Sequence, residues 1–346
     1  MNKHFTNIHK NKTYNLIVRL AIISATYYFI YKQIFHHKRL DHVAGLFVEL
    51  IDQPYLYFFL AWIFTLMIVN WGIESLKWQF LISKIEKISF LQSFEAVLSG
   101  VSVSVFTPNR VGEWFGRVFI LEKSNPWKGV FITMIGSFSQ LLITIIVGAF
   151  SLLFYIPTYF KDVGFYSNYL FYGIIFLVVI IITTLILIFL NVTALPAFVS
   201  HMIKKRFIHF NEYFSVISKF TTFELTTVLL LSFLRYCVFT LQFYLFLMAY
   251  SVHIPLIHGL MIISVVFLIM TAIPTVTLAE LGVRGSVSLY FIGLYFERFS
   301  DLTEKINLGI LSSSSSLWLV NLAIPAILGT FFVYRLRFFR KQSGNG

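Results

Sequence analysis

The chain has 346 residues, of which 58% are hydrophobic and only 12% are charged, and its formal net charge is +12. A soluble chain of this length needs far more charged surface, so a water-soluble globular domain is excluded. The basic residues fall in short clusters between apolar runs rather than along one groove, which argues against nucleic acid as a partner. The composition therefore predicts an all-α, polytopic membrane protein.

Long apolar stretches recur along the chain, and six of them are long enough to cross about 30 Å of hydrocarbon as full transmembrane helices. They are Leu16–Phe35, Tyr55–Ile73, Val130–Pro157, Asn168–Asn191, Leu225–Val252 and Ile306–Val333. This pattern predicts a single transmembrane domain over 16–334. A cytoplasmic N-terminal tail of 1–15 precedes it, and a basic cytoplasmic tail of 335–346 follows.

Two further apolar segments, Phe90–Phe106 and Ile257–Ile273, are shorter than the six spans. Each ends at a proline, Pro108 or Pro274, and a charged stretch that contains glycine follows it. Because proline stops an incoming helix, each segment is expected to turn back rather than cross. We therefore predict two re-entrant helical hairpins, at about 90–122 and 257–297.

The distribution of Lys and Arg predicts the orientation of the chain in the membrane. With the N-terminus inside the cell, most of the 27 basic residues, among them Lys77, Lys84 and Lys87, fall on the cytoplasmic side. This arrangement places both termini in the cytoplasm. The membrane itself is expected to be the cell (inner) membrane. The arrangement also makes the first hairpin open to the cytoplasm and the second to the outside, so that the two hairpins form an inverted repeat.

Four arginines remain at membrane depth, and each would cost about 2.5–3.5 kcal/mol if it faced lipid unpaired. Two of them, Arg117 and Arg284, have a glutamate four residues earlier, so that each pair shares one helix face. The expected ion pairs are Glu113 with Arg117 and Glu280 with Arg284. Arg235 has two open interpretations, a side chain that reaches the membrane surface or a member of a central site. The fourth arginine is Arg110.

The two hairpins carry matching prolines and glycines, which we interpret as structural hinges: Pro108, Gly112, Gly116, Pro274, Gly282 and Gly285. The helix that leaves each hairpin begins near the charged pair, and helix N-termini favour anions. We therefore predict a site for an anionic or phosphate-bearing lipid headgroup, with either a phosphate or a carboxylate. Its predicted lining is Arg110, Glu113, Arg117, Arg235, Glu280 and Arg284. The alternative is that each kinked, ion-paired hairpin only closes a helix bundle.

Other chemistry finds little support in the sequence. His36 and His37 are adjacent, which suits one metal ion poorly, and neither a metalloprotease motif nor a phosphate-binding loop accompanies them. No metal, cofactor or catalytic residue is expected. Glu74 is interpreted as a structural residue that caps its helix or pairs with Lys77 or Lys84. The serine run Ser312–Ser316 is expected either to pack helices closely or to line a polar pathway.

Three segments, NWGIESLKW, FEAVLSGVSVSVFTPNRVGEWFGRVFIL and IMTAIPTVTLAELGVRGSVSLYF, resemble the transmembrane region of bacterial lysylphosphatidylglycerol synthases. The resemblance covers roughly residues 15–335. It implies a lipid translocator that moves aminoacylated phosphatidylglycerol between leaflets, while a separate soluble domain performs the aminoacyl transfer. The chain ends at Gly346 without such a domain, so we expect a stand-alone member that is not an enzyme.

The positions that match the family's motifs are Pro108, Gly112, Glu113, Arg117, Pro274, Glu280, Gly282 and Arg284. The sequence departs from the family where a Pro-Gly-Gly turn is usual, because it has TPNRVG and IPTVTLAELG instead. This departure leaves the lipid open, either anionic or aminoacylated.

Three functional hypotheses follow. The first is a flippase-like transporter of an anionic or aminoacylated phospholipid or a lipid-linked headgroup. The second is a non-transporting scaffold or accessory subunit in envelope lipid assembly, as a homodimer or with a partner membrane protein. The third is an intramembrane enzyme that uses Glu113 or Glu280 as acid or base, which an arginine at helical spacing disfavours.

Overall fold

The computed structural model describes residues 16–28, 31, 56–160, 167–194, 215–274, 277–300 and 303–335. Within these ranges the chain forms helices and turns, with no strand. The all-α prediction is thus confirmed for the described part of the chain. The predicted tail of 1–15, nearly all of the predicted tail of 335–346 and the second part of the predicted span Leu16–Phe35 lie outside the described residues.

We number the described helices in chain order. They are α1 (Leu16–Tyr28), α2 (Leu56–Ile82), α3 (Phe90–Ser104), α4 (Gly112–Val118), α5 (Pro126–Phe160), α6 (Asn168–Leu190), α7 (Thr222–Ala249), α8 (Leu256–Ala272), α9 (Thr277–Phe299), α10 (Glu304–Trp318) and α11 (Ile324–Phe332). A 3-10 turn, Pro108–Arg110, joins α3 to α4, and a π-helical turn, Leu319–Ala323, joins α10 to α11.

Five helical segments of the described residues are long and apolar enough to cross a membrane, namely α2, α5, α6, α7 and the continuous α10–α11 segment. The chain is therefore a multi-pass membrane protein. These segments correspond to five of the six predicted spans, and the sixth rests partly on residues beyond those described. The clearest difference in bounds is α2, which continues past the predicted end at Ile73 to Ile82. It continues because its polar residues Glu74 and Lys77 pair inside the bundle rather than in water.

The two ends of the bundle are defined by contacts between helix termini. At the end that we call the basic end, Lys84 after α2 forms an ion pair with Glu224 in the first turn of α7, with 2.6 Å between Nζ and Oε1. The start of α5 lies at the same end. At the opposite end, Tyr159 near the end of α5 packs edge-on against Phe299 at the end of α9, with 6.1 Å between ring centroids.

Each predicted hairpin begins and ends at one end of the bundle. Before α3, the carboxylate of Glu86 accepts hydrogen bonds from the backbone N–H groups of residues 122–124, just after α4. Both limbs of the first hairpin therefore meet at the basic end. In the second hairpin, the ring of His258 near the start of α8 lies 6.2 Å from that of Tyr295 near the end of α9. This hairpin meets at the opposite end, so the two hairpins face each other.

The turn of the first hairpin differs from the prediction in the residues that make it. Asn109 and Arg110 have φ angles of 49° and 56°, in the left-handed region that favours glycine, whereas no described glycine has a positive φ. Gly112 and Gly116 lie in α4, and Gly282 and Gly285 lie inside the uninterrupted α9. Gly112 and Gly116 instead allow α4 to pack on α3, since a Cβ on Gly116 would lie 2.7 Å from Gly100 Cα.

Helices α3 and α11 approach so closely that only glycine fits at their contact. A Cβ on Gly329 would overlap the carbonyl oxygen of Leu98 and Ser102 Oγ. Ser102 Oγ also donates a hydrogen bond of 2.6 Å to the carbonyl oxygen of Ala326. This contact fixes the first hairpin against α11, the last of the described helices.

The Gly329→Ala variant is expected to lower stability by about 1–3 kcal/mol, because α3 and α11 must separate to admit a methyl group. The measurement is the midpoint of thermal unfolding in detergent, followed by size-exclusion chromatography of heated samples. Gly173→Ala in α6 is the matched control, since a Cβ there meets nothing within 4 Å. An unchanged midpoint for Gly329→Ala would contradict the close contact.

The carboxylate of Glu86 is expected to make the stability of the protein depend on pH. Partial burial acts to raise the pKa of Glu86, but its three backbone donors outweigh that effect and hold the pKa below the usual value. A lowered pKa contributes stability above the unfolded value of about 4.3, and that stability is lost as pH falls through the folded value. The difference in unfolding midpoint between wild type and Glu86→Gln should therefore shrink from pH 7 to pH 4. A difference that stays constant or grows would count against this role for the carboxylate.

Candidate functional site

Glu74 of α2 is the centre of a buried group of charges that draws on three helices. Its Oε1 accepts from Arg117 Nη1 of α4 at 2.7 Å. Its Oε2 lies 2.8 Å from Lys77 Nζ and 2.8 Å from Arg235 Nη1 of α7. Arg117 also donates from Nη2 to Glu113 on its own helix. We call these five residues, Glu74, Lys77, Glu113, Arg117 and Arg235, the Glu74 cluster.

The burial of this cluster is what makes its pairing necessary. The side chain of Lys77 is 1% exposed and that of Glu74 is 5% exposed. Lys77 Nζ also donates to Ser232 Oγ of α7 at 3.3 Å, and Ser232 lies 2.7 Å from Ser139 Oγ of α5. Removing either partner of such a pair leaves an uncompensated buried charge. The cluster therefore fixes α2, α4, α5 and α7 relative to one another.

A second charged group joins the ends of the two hairpins. Arg110, at the turn of the first hairpin, donates from Nη2 to both carboxylate oxygens of Glu280, at 2.8 and 3.0 Å. Glu280 lies in the first turn of α9, and its Oε1 also accepts from Arg284 Nη2 at 2.8 Å. We call Arg110, Glu280 and Arg284 the tip cluster. It is the contact through which the turn of one hairpin meets the other.

Arg110 has a left-handed backbone conformation at the point where it makes this contact. A residue with a Cβ is uncommon at positive φ, and such residues persist where surrounding interactions hold them. The ion pair with Glu280 is such an interaction. The turn is thus set by the partner across the interface as well as by the local sequence.

Amide side chains extend the Glu74 cluster to the last helices. Arg235 Nε donates to Asn70 Oδ1 at 3.2 Å, and Asn70 Nδ2 donates to Asn321 Oδ1 at 3.0 Å. Asn321 lies in the π-helical turn between α10 and α11. Such turns widen a helix locally and are frequent at functional sites.

A cavity of about 640 Å³ lies between the two charged clusters. Its polar lining includes Arg235 from the Glu74 cluster and all three residues of the tip cluster. Arg235 also lies over the ring of Trp71, with 5.1 Å from Cζ to the ring centroid. The other lining residues with polar groups are Asn70, Asn109, Gln140, Thr144, Tyr236, Thr271, Trp318 and Asn321, and the apolar ones include Leu141, Phe239, Phe267, Met270, Ile273, Pro274, Leu317 and Leu322. The cavity thus has both a charged and an apolar wall.

The predicted site residues divide into two groups. Arg110, Arg235, Glu280 and Arg284 line the cavity, and Pro274 borders it. Glu113 and Arg117 are not among its lining residues and instead hold the Glu74 cluster together. The two ion pairs expected from i, i+4 spacing, Glu113 with Arg117 and Glu280 with Arg284, are both present. Of the two interpretations of Arg235, the structure favours membership of the central site.

Lys77 holds a position different from that predicted, and Glu74 has more ion-pair partners than predicted. Glu74 is the centre of the charged cluster rather than a cap, although its pairing with Lys77 was one of the expected alternatives. Lys77 was assigned to the cytoplasmic surface, and it is buried instead. The sequence contains a pattern that indicates this buried position. Asn70, Glu74 and Lys77 repeat at spacings of four and three and so share one helix face. Ending the span at Ile73 hid that pattern.

The serine run favours packing over a polar pathway. Ser312, Ser313, Ser314 and Ser316 are buried, and no residue of the run lines the cavity. Ser316 Oγ lies 2.8 Å from the hydroxyl of Tyr250 at the end of α7.

Among the described residues, no group of three or more His, Cys, Asp or Glu side chains is placed to hold a metal ion.

The Glu74→Gln variant is expected to lower stability by about 3–5 kcal/mol, because three cations lose their shared carboxylate. Glu113→Gln is the matched control, since the Glu113 side chain is more exposed, at 19%, and its ion pair in the cluster is with Arg117. Its effect on the unfolding midpoint should be smaller.

Adding Lys77→Met to Glu74→Gln should recover part of the loss, since one uncompensated cation is removed. The measurement is again the unfolding midpoint in detergent. Equal midpoints for Glu74→Gln and Glu113→Gln would show that Glu74 is not the centre of the cluster.

Comparison with known proteins gives one family. The sequence model described as the lysylphosphatidylglycerol synthase TM region matches residues 16–297. That range contains both hairpins and both charged clusters. No curated protein and no solved structure matches the chain.

Proposed function

Since this chain belongs to the family of the lysylphosphatidylglycerol synthase TM region and is an integral membrane protein of lipid metabolism, we propose that it is a flippase-like transporter. It binds an anionic or aminoacylated phospholipid, or a lipid-linked headgroup, and moves it between leaflets. The observation that carries this proposal is the charged cavity at the meeting point of two opposed hairpins.

The hairpins are proposed to be re-entrant, so that six segments span the membrane. The sixth is the predicted span Leu16–Phe35, of which α1 is the described part. Helix α4 has 7 residues, or about 10 Å, and cannot cross a bilayer alone. Helix α8 has 17 residues and is also short for a span. The paired limbs at opposite ends of the bundle support the same arrangement. Irregular backbone such as the Asn109–Arg110 turn is tolerated at membrane depth where protein or a cavity surrounds it.

The basic end of the bundle is proposed to face the cytoplasm of a bacterial cell, with both termini on that side. Lys84, Lys87, Lys123, Lys128 and Lys219 lie in the described segments at or near that end, and cytoplasmic loops are enriched in such residues. The opposite end has Arg298 and Lys305. The membrane is proposed to be the cell (inner) membrane.

The proposed mechanism separates the headgroup from the tails. The phosphate enters the cavity, where arginines replace its hydration, while the acyl chains stay in the surrounding lipid. The two hairpins then move relative to each other, so that the cavity opens first to one side and then to the other. The ion pair between Arg110 and Glu280 is the contact that must break and reform, because it joins the two hairpins.

The chain is proposed to act without chemical catalysis. Both carboxylates that an intramembrane enzyme could use, Glu113 and Glu280, are engaged in ion pairs with arginine, so neither is free to bind a reacting group. A homodimer or a partner membrane protein is compatible with transport. A stable partner with no transport by the isolated chain would instead support the scaffold hypothesis.

The test is lipid movement in reconstituted vesicles. Arg284→Gln should slow translocation of a labelled phosphatidylglycerol about 10-fold or more, because it removes charge-assisted hydrogen bonds of about 1.5–3 kcal/mol from the cavity. Arg298→Gln, outside the cavity, is the control and should transport at the wild-type rate. A wild-type rate in folded Arg284→Gln, or no transport by any variant including wild type, would overturn the proposal.

A further inference from the structure

Buried N–H donors without a partner line the cavity. Among the described residues, Trp71 Nε1, Trp318 Nε1 and both Nε and Nη1 of Arg284 are buried and have no hydrogen-bond partner. All three residues line the cavity, and they are 4%, 4% and 8% exposed, respectively. Leaving such donors unsatisfied is unfavourable, so an acceptor bound at this wall of the cavity would be stabilised.

The carboxylates in and behind the cavity wall are already engaged. Both oxygens of Glu280 accept from Arg110, and one accepts from Arg284 as well. Behind Arg235, both oxygens of Glu74 are also paired. An acceptor left without a partner is the neutral Oε1 of Gln140. A ligand ammonium group would therefore find no open carboxylate to bind.

The formal charge of the two clusters also favours an anionic ligand. Ion pairs join Lys77, Arg110, Arg117, Arg235 and Arg284 to only three carboxylates, those of Glu74, Glu113 and Glu280. The clusters thus carry an excess of two positive charges. In a site of low dielectric, that excess attracts an anion and repels a cation strongly.

We infer that the cavity selects a phosphodiester lipid whose headgroup carries hydroxyl groups and a net negative charge, and that it rejects headgroups bearing a cationic ammonium group. The phosphate oxygens accept from Trp71, Trp318 and Arg284, and a headgroup hydroxyl donates to Gln140. This inference rests on the proposed function, which places a lipid in this cavity. It narrows the substrate to the anionic class and excludes the aminoacylated one.

The experiment is competitive lipid binding by the full chain. Purified protein is stripped of lipid and exchanged with an equimolar mixture of phosphatidylglycerol, lysylphosphatidylglycerol and phosphatidylcholine with identical acyl chains, and the retained lipid is quantified by native mass spectrometry. Phosphatidylglycerol should be retained at least about 10-fold over either of the others. Equal retention, or a preference for the lysyl form, overturns the inference.

Conservative variants test the indole donors directly. Trp71→Phe and Trp318→Phe keep an aromatic ring but lose the N–H, and each should reduce phosphatidylglycerol retention about 5- to 10-fold. Trp62→Phe on α2 is the control, since Trp62 is 47% exposed and does not line the cavity. Unchanged retention in both cavity variants would overturn the assignment of these donors, and the unfolding midpoint shows that each variant is folded.

A soluble headgroup distinguishes a membrane lipid from a free phosphodiester as the ligand of the cavity. Glycerophosphoglycerol added at the lipid's concentration should not displace bound phosphatidylglycerol, whereas efficient displacement would make the ligand a free phosphodiester and overturn the lipid assignment. Transport assays keep this inference distinct from the proposed function. Movement of both phosphatidylglycerol and its lysyl form would overturn only the selectivity, and selective binding without movement would overturn only the transport.

Discussion

One buried carboxylate, Glu74, determines how this bundle is arranged. In an apolar environment, Lys77, Arg117 and Arg235 are tolerable only if they are paired, and Glu74 is the shared partner of all three. Because these cations come from α2, α4 and α7, the need to neutralise them fixes the first hairpin against two membrane-length helices. The rest of the central architecture, including the amide contacts through Asn70 to Asn321, extends from this constraint.

The tip cluster is also held together by ion pairs, but one of its members is more exposed than the others. Arg110 is 36% exposed at its side chain, whereas Glu280 and Arg284 are largely buried. The Glu74 cluster is therefore suited to holding helices in place, and the tip cluster, at the border of the cavity, is suited to a contact that changes. Matching motifs in the two halves have thus acquired unequal roles. The first hairpin has a strained turn and a short α4, whereas the second leads into the long α9.

The sequence predicts what depends on local spacing. Composition indicates the membrane fold, and i, i+4 spacing predicts the pairs Glu113 with Arg117 and Glu280 with Arg284. Contacts between distant segments are not predictable in this way, because spacing along the chain carries no information on which helix faces which. Arg110 with Glu280 and Arg117 with Glu74 are of that kind. The turn at Asn109 and Arg110 was assigned to glycines because local rules favour glycine at positive φ, whereas a tertiary ion pair accompanies it here.

The central claim is that lipid moves because the two hairpins move relative to each other, and restraining them tests it most directly. Asn109 and Thr271 line the same cavity from opposite hairpins and are exposed to it. Cysteines at both positions, in a Cys237→Ser background, are bridged with a cleavable bifunctional thiol reagent in reconstituted vesicles, with each single cysteine as a control. The account predicts that bridging stops lipid movement in the double variant alone and that cleaving the bridge restores it. Wild-type lipid movement through a fully bridged protein would contradict it.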